Sequence, residues 1–235
     1  MERRRVEMKL AVPKRSSHIS RPYTLEFLDD RADSLGRGEE GQVTHAGVVL
    51  KTRTVDGFAF KEYHNEGRAL HAFKSFVFLK RAGLPVPGTF RLVKEGNRYS
   101  GILMTDLTEG WKNVLITSNQ TKGYVVSKVF NHNPQTIQLL SRYNLENPEI
   151  QKELKDRLLQ IAHNAAKQQI EFSADDVLSA IFHPDGEMEF IISDMGNVHL
   201  NSELEEEDLK RRNSACALSI LLMISEAKRI ATEIV

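Results

Sequence analysis

The sequence predicts an α+β fold, with antiparallel strands gathered in the first half and long helices in the second. Three observations predict it. A glycine-punctuated stretch over residues 36–43 runs into β-branched residues rather than into a helix. Two strand-like runs, near residues 89–93 and 99–104, flank a Gly-Asn turn. Beyond residue 150, Leu154, Leu158, Ile161, Ala162 and Ala165 repeat with the period of a core-facing helix.

Composition sets the bounds. A chain of 235 residues is long enough for one large domain or two small lobes, and either can bury a core. Lys plus Arg and Asp plus Glu are equal at 32 each, so no global field draws nucleic acid, a membrane surface or an acidic substrate. No apolar run approaches the ~20 residues that a membrane-spanning helix needs. The single cysteine, Cys216, excludes an internal disulfide framework and a cysteine-based zinc site. Its setting, Ala215-Cys216-Ala217-Leu218, reads as an inert thiol in a buried helix.

In chain order, residues 1–20 are basic and irregular, with Arg3-Arg4-Arg5, Lys9 and Lys14-Arg15. No apolar segment follows them, so they read as a loosely ordered arm or a targeting signal other than the secretory kind. Next come Gly36, Gly38, Gly41 and Val43 in the pattern G-x-G-x-x-G-x-V. Glycines at that spacing let backbone amides approach phosphate oxygens. A dinucleotide fold would need a helix directly afterwards; strand chemistry follows instead, which predicts a glycine-rich hairpin. Val55-Asp56-Gly57 reads as a tight turn into a strand carrying Phe58, Phe60 and Lys61, with Lys61 on the face opposite the two phenylalanines.

Residues 65–77 read as a helix with an apolar stripe of Ala69, Leu70, Phe73 and Val77, and Glu66 on the same side one turn ahead. A carboxylate there takes a partner or stays solvated at the helix start, and Lys61 is the nearest candidate. Gly83 stops the helix and Pro85 and Pro87 extend the chain after it.

In the second half, the long helix runs out near Gln168. An acidic loop with Asp175 and Asp176 follows, then a Pro184-Asp185-Gly186 turn. The apolar run Ile191-Ile192 then ends in Ser193-Asp194-Met195-Gly196-Asn197, delivering one carboxylate where strand order stops. Taken alone, that pattern also fits an ordinary strand and turn, and Asp175 with Asp176 also fits a cap before Val177. The last helix is expected from Asp208, with Ala215, Leu218, Leu221, Leu222 and Ser225 making it apolar on most sides and buried. The acidic run from Glu205 suits the helix dipole. The eight histidines show no metal-ligand spacing.

The order glycine hairpin, strand Lys, helix Glu, two strands, Ile102-Leu103-Met104, long helix, acidic loop and Asp-x-Gly resembles the protein-kinase-like superfamily. The likeness is greatest to its compact branch of RIO-type kinases, aminoglycoside phosphotransferases and small effector kinases of bacterial pathogens. It covers residues 35–224. It implies a two-lobed kinase-like fold with an antiparallel-sheet N-lobe bearing one helix (residues 21–107) and a reduced, mainly helical C-lobe (108–235). ATP and Mg²⁺ are the implied cofactors. By this likeness Gly36, Gly38, Gly41 and Val43 cover the nucleotide, Lys61 holds the α/β-phosphates and Glu66 orients Lys61. Met104 lines the back of the adenine pocket, backbone groups of Thr105 and Leu107 bond adenine, and Asp194 holds Mg²⁺.

The sequence departs from the family at the catalytic loop. His-Arg-Asp with Asn five residues later is missing. Aligning the Pro184-Asp185-Gly186 turn puts Ser179 at the Asn position, as a second metal oxygen, and Ala174 at the Asp. A shift of one or two residues supplies Asp175 or Asp176 as the base instead. The implied activity is phosphoryl transfer to a Ser or Thr of a protein substrate, with no nucleic acid and no membrane span involved. The alternatives are a kinase-shaped binding module without transfer, and a small-molecule kinase, for which the short second half leaves little room. Likeness to effector kinases implies a cytoplasmic protein or one delivered into a host cell.

Overall fold

The computed structural model describes residues 5–10, 23–27, 36–38, 41–50, 53–110, 112–121, 124–130 and 133–234. It is a mixed α+β structure with antiparallel sheets and, among the described residues, four α-helices. Residues 1–74 with 87–106 form one compact unit, and 75–86 with 107–235 form another.

The first unit is a sheet of seven strands. β1 (Arg5–Leu10) pairs with β2 (Tyr23–Phe27); β3 (Gly36–Gly38) pairs with β4 (Gly41–Leu50), and β4 pairs with β5 (Arg53–Tyr63). Helix α1 (Glu66–Arg81) intervenes before β6 (Phe90–Glu95) and β7 (Arg98–Thr105). The order is β2-β1-β6-β7-β5-β4-β3, and β2 also pairs with the far end of β4. That extra pairing closes six strands into a ring, which removes their free edges. The core lies on Phe60, Phe90, Leu92, Val93, Ile102 and Leu103.

Two expectations change here. Residues 5–10, read as part of a basic arm, form a strand; Val6, Met8 and Leu10 alternate with Arg5, Glu7 and Lys9, which is the strand period. The rest of the arm lies outside the described residues. Asp56-Gly57 is not a turn. It lies inside β5, where the register passes from Ala46↔Phe58 to Val48↔Val55, one extra residue on β5. Gly57 takes φ +91°, so the turn-like dipeptide serves a β-bulge.

Asn65 caps α1 by accepting the Arg68 N–H at 3.2 Å. Its buried stripe is Ala69, Ala72, Phe76 and Leu79, with Leu70, Phe73 and Val77 half-buried, so the covered face is turned from the one expected. The helix ends in a Schellman motif, with Leu84 N–H to Leu79 O at 3.1 Å and Gly83 N–H to Lys80 O at 3.2 Å.

The second unit holds more sheet than the sequence suggested. β8 (Val114–Thr121) and β9 (Tyr124–Phe130) form a hairpin. Helices α2 (Pro134–Arg142) and α3 (Pro148–Lys167) follow, each with an Asn cap (Asn133, Asn147) and Pro in the first turn. Then come β10 (Ile170–Phe172), β11 (Leu178–Phe182), β12 (Met188–Ile192), a single 3₁₀ turn (Met195–Asn197), β13 (Val198–Leu200) and α4 (Glu206–Ile234). One sheet runs β12-β11-β8-β9; the other pairs β10 with β13. Helix α3 buries Leu154, Leu158, Ala162 and Ala165 on the expected stripe.

Helix α4 buries Leu209, Asn213, Ala217, Ile220, Ile224, Ala227 and Ala231, a single stripe at steps of three and four. It packs on α2, α3, β8, β9, β10 and β11. The expectation that it is buried nearly all round does not hold: Leu222 is 76 % exposed, and Ala215 and Ser225 are exposed too. Glu206, Glu207 and Asp208 fill its first turn, where the dipole favours acids. Among the described residues no helix is long and apolar enough to cross a membrane.

Candidate functional site

In the first unit the glycine hairpin forms as expected. Gly38 pairs with Gly41, Arg37 with Gln42 and Gly36 with Val43; Glu39 and Glu40 at its tip lie outside the described residues. Val43 is directly opposite Lys61, and Lys61 opposite Ile102. Directly opposed residues point to one face, so Val43 and Lys61 share a side of the sheet. Lys61 is half-buried, between Ala59 and Tyr63 on its own face, both of which are buried. Its ammonium lies 5.1 Å from the centre of the Tyr63 ring, within cation–π range. Glu66 opens α1, and its Oε1 accepts the Tyr99 backbone N–H at 3.3 Å. That contact ties the start of the helix to β7.

At the end of β7, Met104 is buried and opposite Ala59. The Thr105 N–H donates to Thr89 O at 3.1 Å, and Thr89 N–H goes to the Thr105 hydroxyl at 2.8 Å. The hydroxyl thus takes the place in the ladder that the Thr105 carbonyl would have. The Thr105 N–H is committed to the sheet, so of this residue's backbone groups the carbonyl is the one suited to a ligand. In the second unit, Leu107 offers its carbonyl to the Asn113 amide at 3.2 Å, and Asn113 N–H bonds Thr108 O at 3.0 Å. Asn113 is 2 % exposed and staples this loop shut from within.

The acidic loop and the Asp194 turn of the second unit are interlaced. Val177 O accepts N–H groups from both Ser193 (3.0 Å) and Asp194 (3.3 Å), continuing the β11–β12 pairing past Leu178↔Ile192. Asp176 and Asp194 therefore both lie at the open end of that hairpin. Asp194 caps the 3₁₀ turn, its Oδ1 accepting the Gly196 N–H at 3.1 Å. The Asn197 amide donates to Asp176 Oδ1 at 2.9 Å. The Asn197 carbonyl accepts both the N–H (2.9 Å) and the hydroxyl (3.0 Å) of Ser173.

Asp175 turns the other way, toward α4. Its carbonyl accepts the Ser219 hydroxyl at 3.2 Å. Burial first, and the Asp175 carboxylate beside it second, push the Cys216 thiol up to about 11. Cys216 is half-buried with Sγ donating to Phe172 O at 3.4 Å, so the thiol stays protonated at neutral pH.

Ser179 does not sit in a loop. It is the second residue of β11, 1 % exposed, with its hydroxyl 2.6 Å from that of Ser193. A side chain enclosed between strands is poorly placed to reach a metal. The alignment that put it at the ligand position places it one residue inside β11, which begins at Leu178.

Two asparagines escaped sequence reasoning. Asn197 was visible as the residue after the glycine, but nothing in its spacing signalled that its amide reaches back 21 residues. Asn213 lies on the apolar stripe of α4, and a polar residue at a core position was the available signal. Two hydrogen bonds hold the segment 75–86 on this unit: Ser75 Oγ to Val198 O at 3.0 Å, and Ile192 N–H to Pro85 O at 2.9 Å.

Asp176 and Asp194 are hard oxygen donors, the type that suits Mg²⁺. Among the described residues no group of three or more His, Cys, Asp or Glu side chains converges as a protein cage. No family model matches the sequence, and no curated protein matches it.

Proposed function

We propose that the protein is an ATP- and Mg²⁺-dependent phosphotransferase of two-lobed, protein-kinase-like architecture, acting on a Ser or Thr hydroxyl of a protein. The observation that carries this reading is the pair Asp176 and Asp194 at one hairpin end, each with a carboxylate oxygen oriented by an amide donor. Phosphoryl transfer to a hydroxyl can use such a pair: one carboxylate for the metal and one for the attacking hydroxyl. Asp194 would hold Mg²⁺, which neutralises charge on the phosphates. Asp176, 18 residues earlier, would orient the acceptor hydroxyl and take its proton. Asp175 is passed over because its surroundings belong to α4.

In the first unit, Lys61 would bind the phosphates, with the amides of Gly36, Gly38 and Gly41 and the side chain of Val43 beside it. Glu66 would bias α1 toward Lys61. Met104, the Thr105 carbonyl and the Leu107 N–H would receive adenine. A second reading, a nucleotide-binding module without transfer, draws on the burial of Ser179, the expected second metal oxygen, with its hydroxyl against that of Ser193.

Titrating ATP with and without Mg²⁺, then following γ-phosphate transfer to a protein acceptor, separates the two. Mg²⁺-dependent binding with transfer supports the enzyme; binding without transfer supports the module. Lys61→Ala is expected to weaken ATP binding at least tenfold, about 1.4 kcal/mol, and to abolish transfer while the melting temperature holds. Normal transfer by Lys61→Ala would remove the basis of the reading.

A further inference from the structure

We infer that Asn197 is a positioning residue for Asp176, so that the turn carrying the metal-binding carboxylate also sets the orientation of the base. This rests on the reading just given. Four hydrogen bonds beyond the strand ladder join residues 173–177 to 193–197 through two hubs. Val177 O gathers the N–H groups of Ser193 and Asp194, and Asn197 O gathers the N–H and hydroxyl of Ser173. These fix the two backbones against each other.

A fifth bond reaches the Asp176 carboxylate itself. The Asn197 amide donates to Asp176 Oδ1 at 2.9 Å, a bond to a carboxylate acceptor. Asn197 is itself steadied on the same turn: the 3₁₀ segment Met195–Asn197 is capped by Asp194 through the Gly196 N–H. Any shift of Asp194 that repacks this turn therefore moves the donor that aims Asp176. Aspartate at position 197 would set two carboxylates together, and alanine would remove this donor to Asp176. A side chain that acts on a reacting proton loses about 100-fold when it is misplaced by about 1 Å.

The test uses the full chain, Mg·ATP and casein as acceptor. Asn197→Ala is expected to lower kcat about 10- to 100-fold while KM for ATP stays within about twofold, because the nucleotide contacts are untouched. The exchange variant Asp176→Asn with Asn197→Asp re-forms the hydrogen bond with donor and acceptor reversed. It is expected to recover the wild-type melting temperature and to leave kcat low, which a purely structural role for the pair would not predict. An active wild type with Asn197→Ala inside twofold in kcat overturns this inference alone; transfer restored by the exchange variant, which lacks the Asp176 carboxylate, overturns the assignment of Asp176 as the base together with this inference. A wild type that binds Mg·ATP and transfers nothing overturns the enzyme reading and this inference together.

Discussion

Replacing Asn213 with alanine probes the contact that seats the last helix. Asn213 has no exposed surface. Its Oδ1 accepts the Phe172 N–H at 2.9 Å, and its Nδ2 donates to Ile170 O at 2.8 Å and, more weakly, to Ala162 O at 3.4 Å. Phe172 and Ile170 are 2 % and 1 % exposed, so water cannot substitute for the lost amide. Alanine then strands one buried donor and one buried acceptor, each costing about 1–3 kcal/mol, or about 2–6 kcal/mol together. For a chain of this size that lowers the melting temperature by on the order of 10 °C. Asn213→Leu restores most of the volume but not the bonds, so it is expected to recover less than half of the loss. Urea unfolding followed by far-ultraviolet circular dichroism gives the free energy, and amide exchange at Phe172 reports the orphaned donor directly. A loss under about 1 kcal/mol, with Phe172 exchanging as in the wild type, would refute the reasoning.

Two further outcomes follow from the packing. At Gly101 an added Cβ would stand 2.4 Å from Lys61 O and 2.6 Å from the Phe60 ring, so Gly101→Ala is expected to destabilise the first unit by about 1–3 kcal/mol, measured by thermal unfolding; a neutral result would mean that β5 and β7 are farther apart. Cys216, with its thiol raised from 9.0 to about 11, is expected to react with iodoacetamide at pH 8 on the order of 100-fold more slowly than an ordinary thiol. Its rate should climb until pH passes about 11, and its contribution to stability, complete below 9.0, should fade as pH rises through about 11. A rate that levels off near pH 9 refutes the burial argument.

What the sequence made legible was periodic. The strand alternation around Lys61, the long stripe of α3 and the apolar entry to Asp194 follow from residue type at fixed spacing, and each is present. Dipeptide signals were ambiguous: Asp56-Gly57 satisfies a turn and a bulge equally, because both need a residue at positive φ. The covered faces of α1 and α4 were misplaced. With large residues on several sides, α1 and α4 have no single face that local sequence selects, and tertiary partners decide which is covered. The β8–β9 hairpin went unread, and its pairing with β11 lies beyond local periodicity: Ala180 is opposite Ile116, 64 positions earlier. The site divided along the same line. Candidate residues could be named from order along the chain, but the choice between Asp175 and Asp176 depended on which neighbour each meets, Ser219 or Asn197. No pattern in one dimension carries that.

The placement of α4 has a consequence for how the chain matures. Every element it covers precedes it in the chain. While these residues are still inside the ribosome, the apolar sides of α2, α3 and the β8–β11 strands have already emerged and stand wet. Nascent chains halted before residue 206 would therefore be clients for holding chaperones, and the second unit would close only once Leu209 and the residues after it leave the exit tunnel.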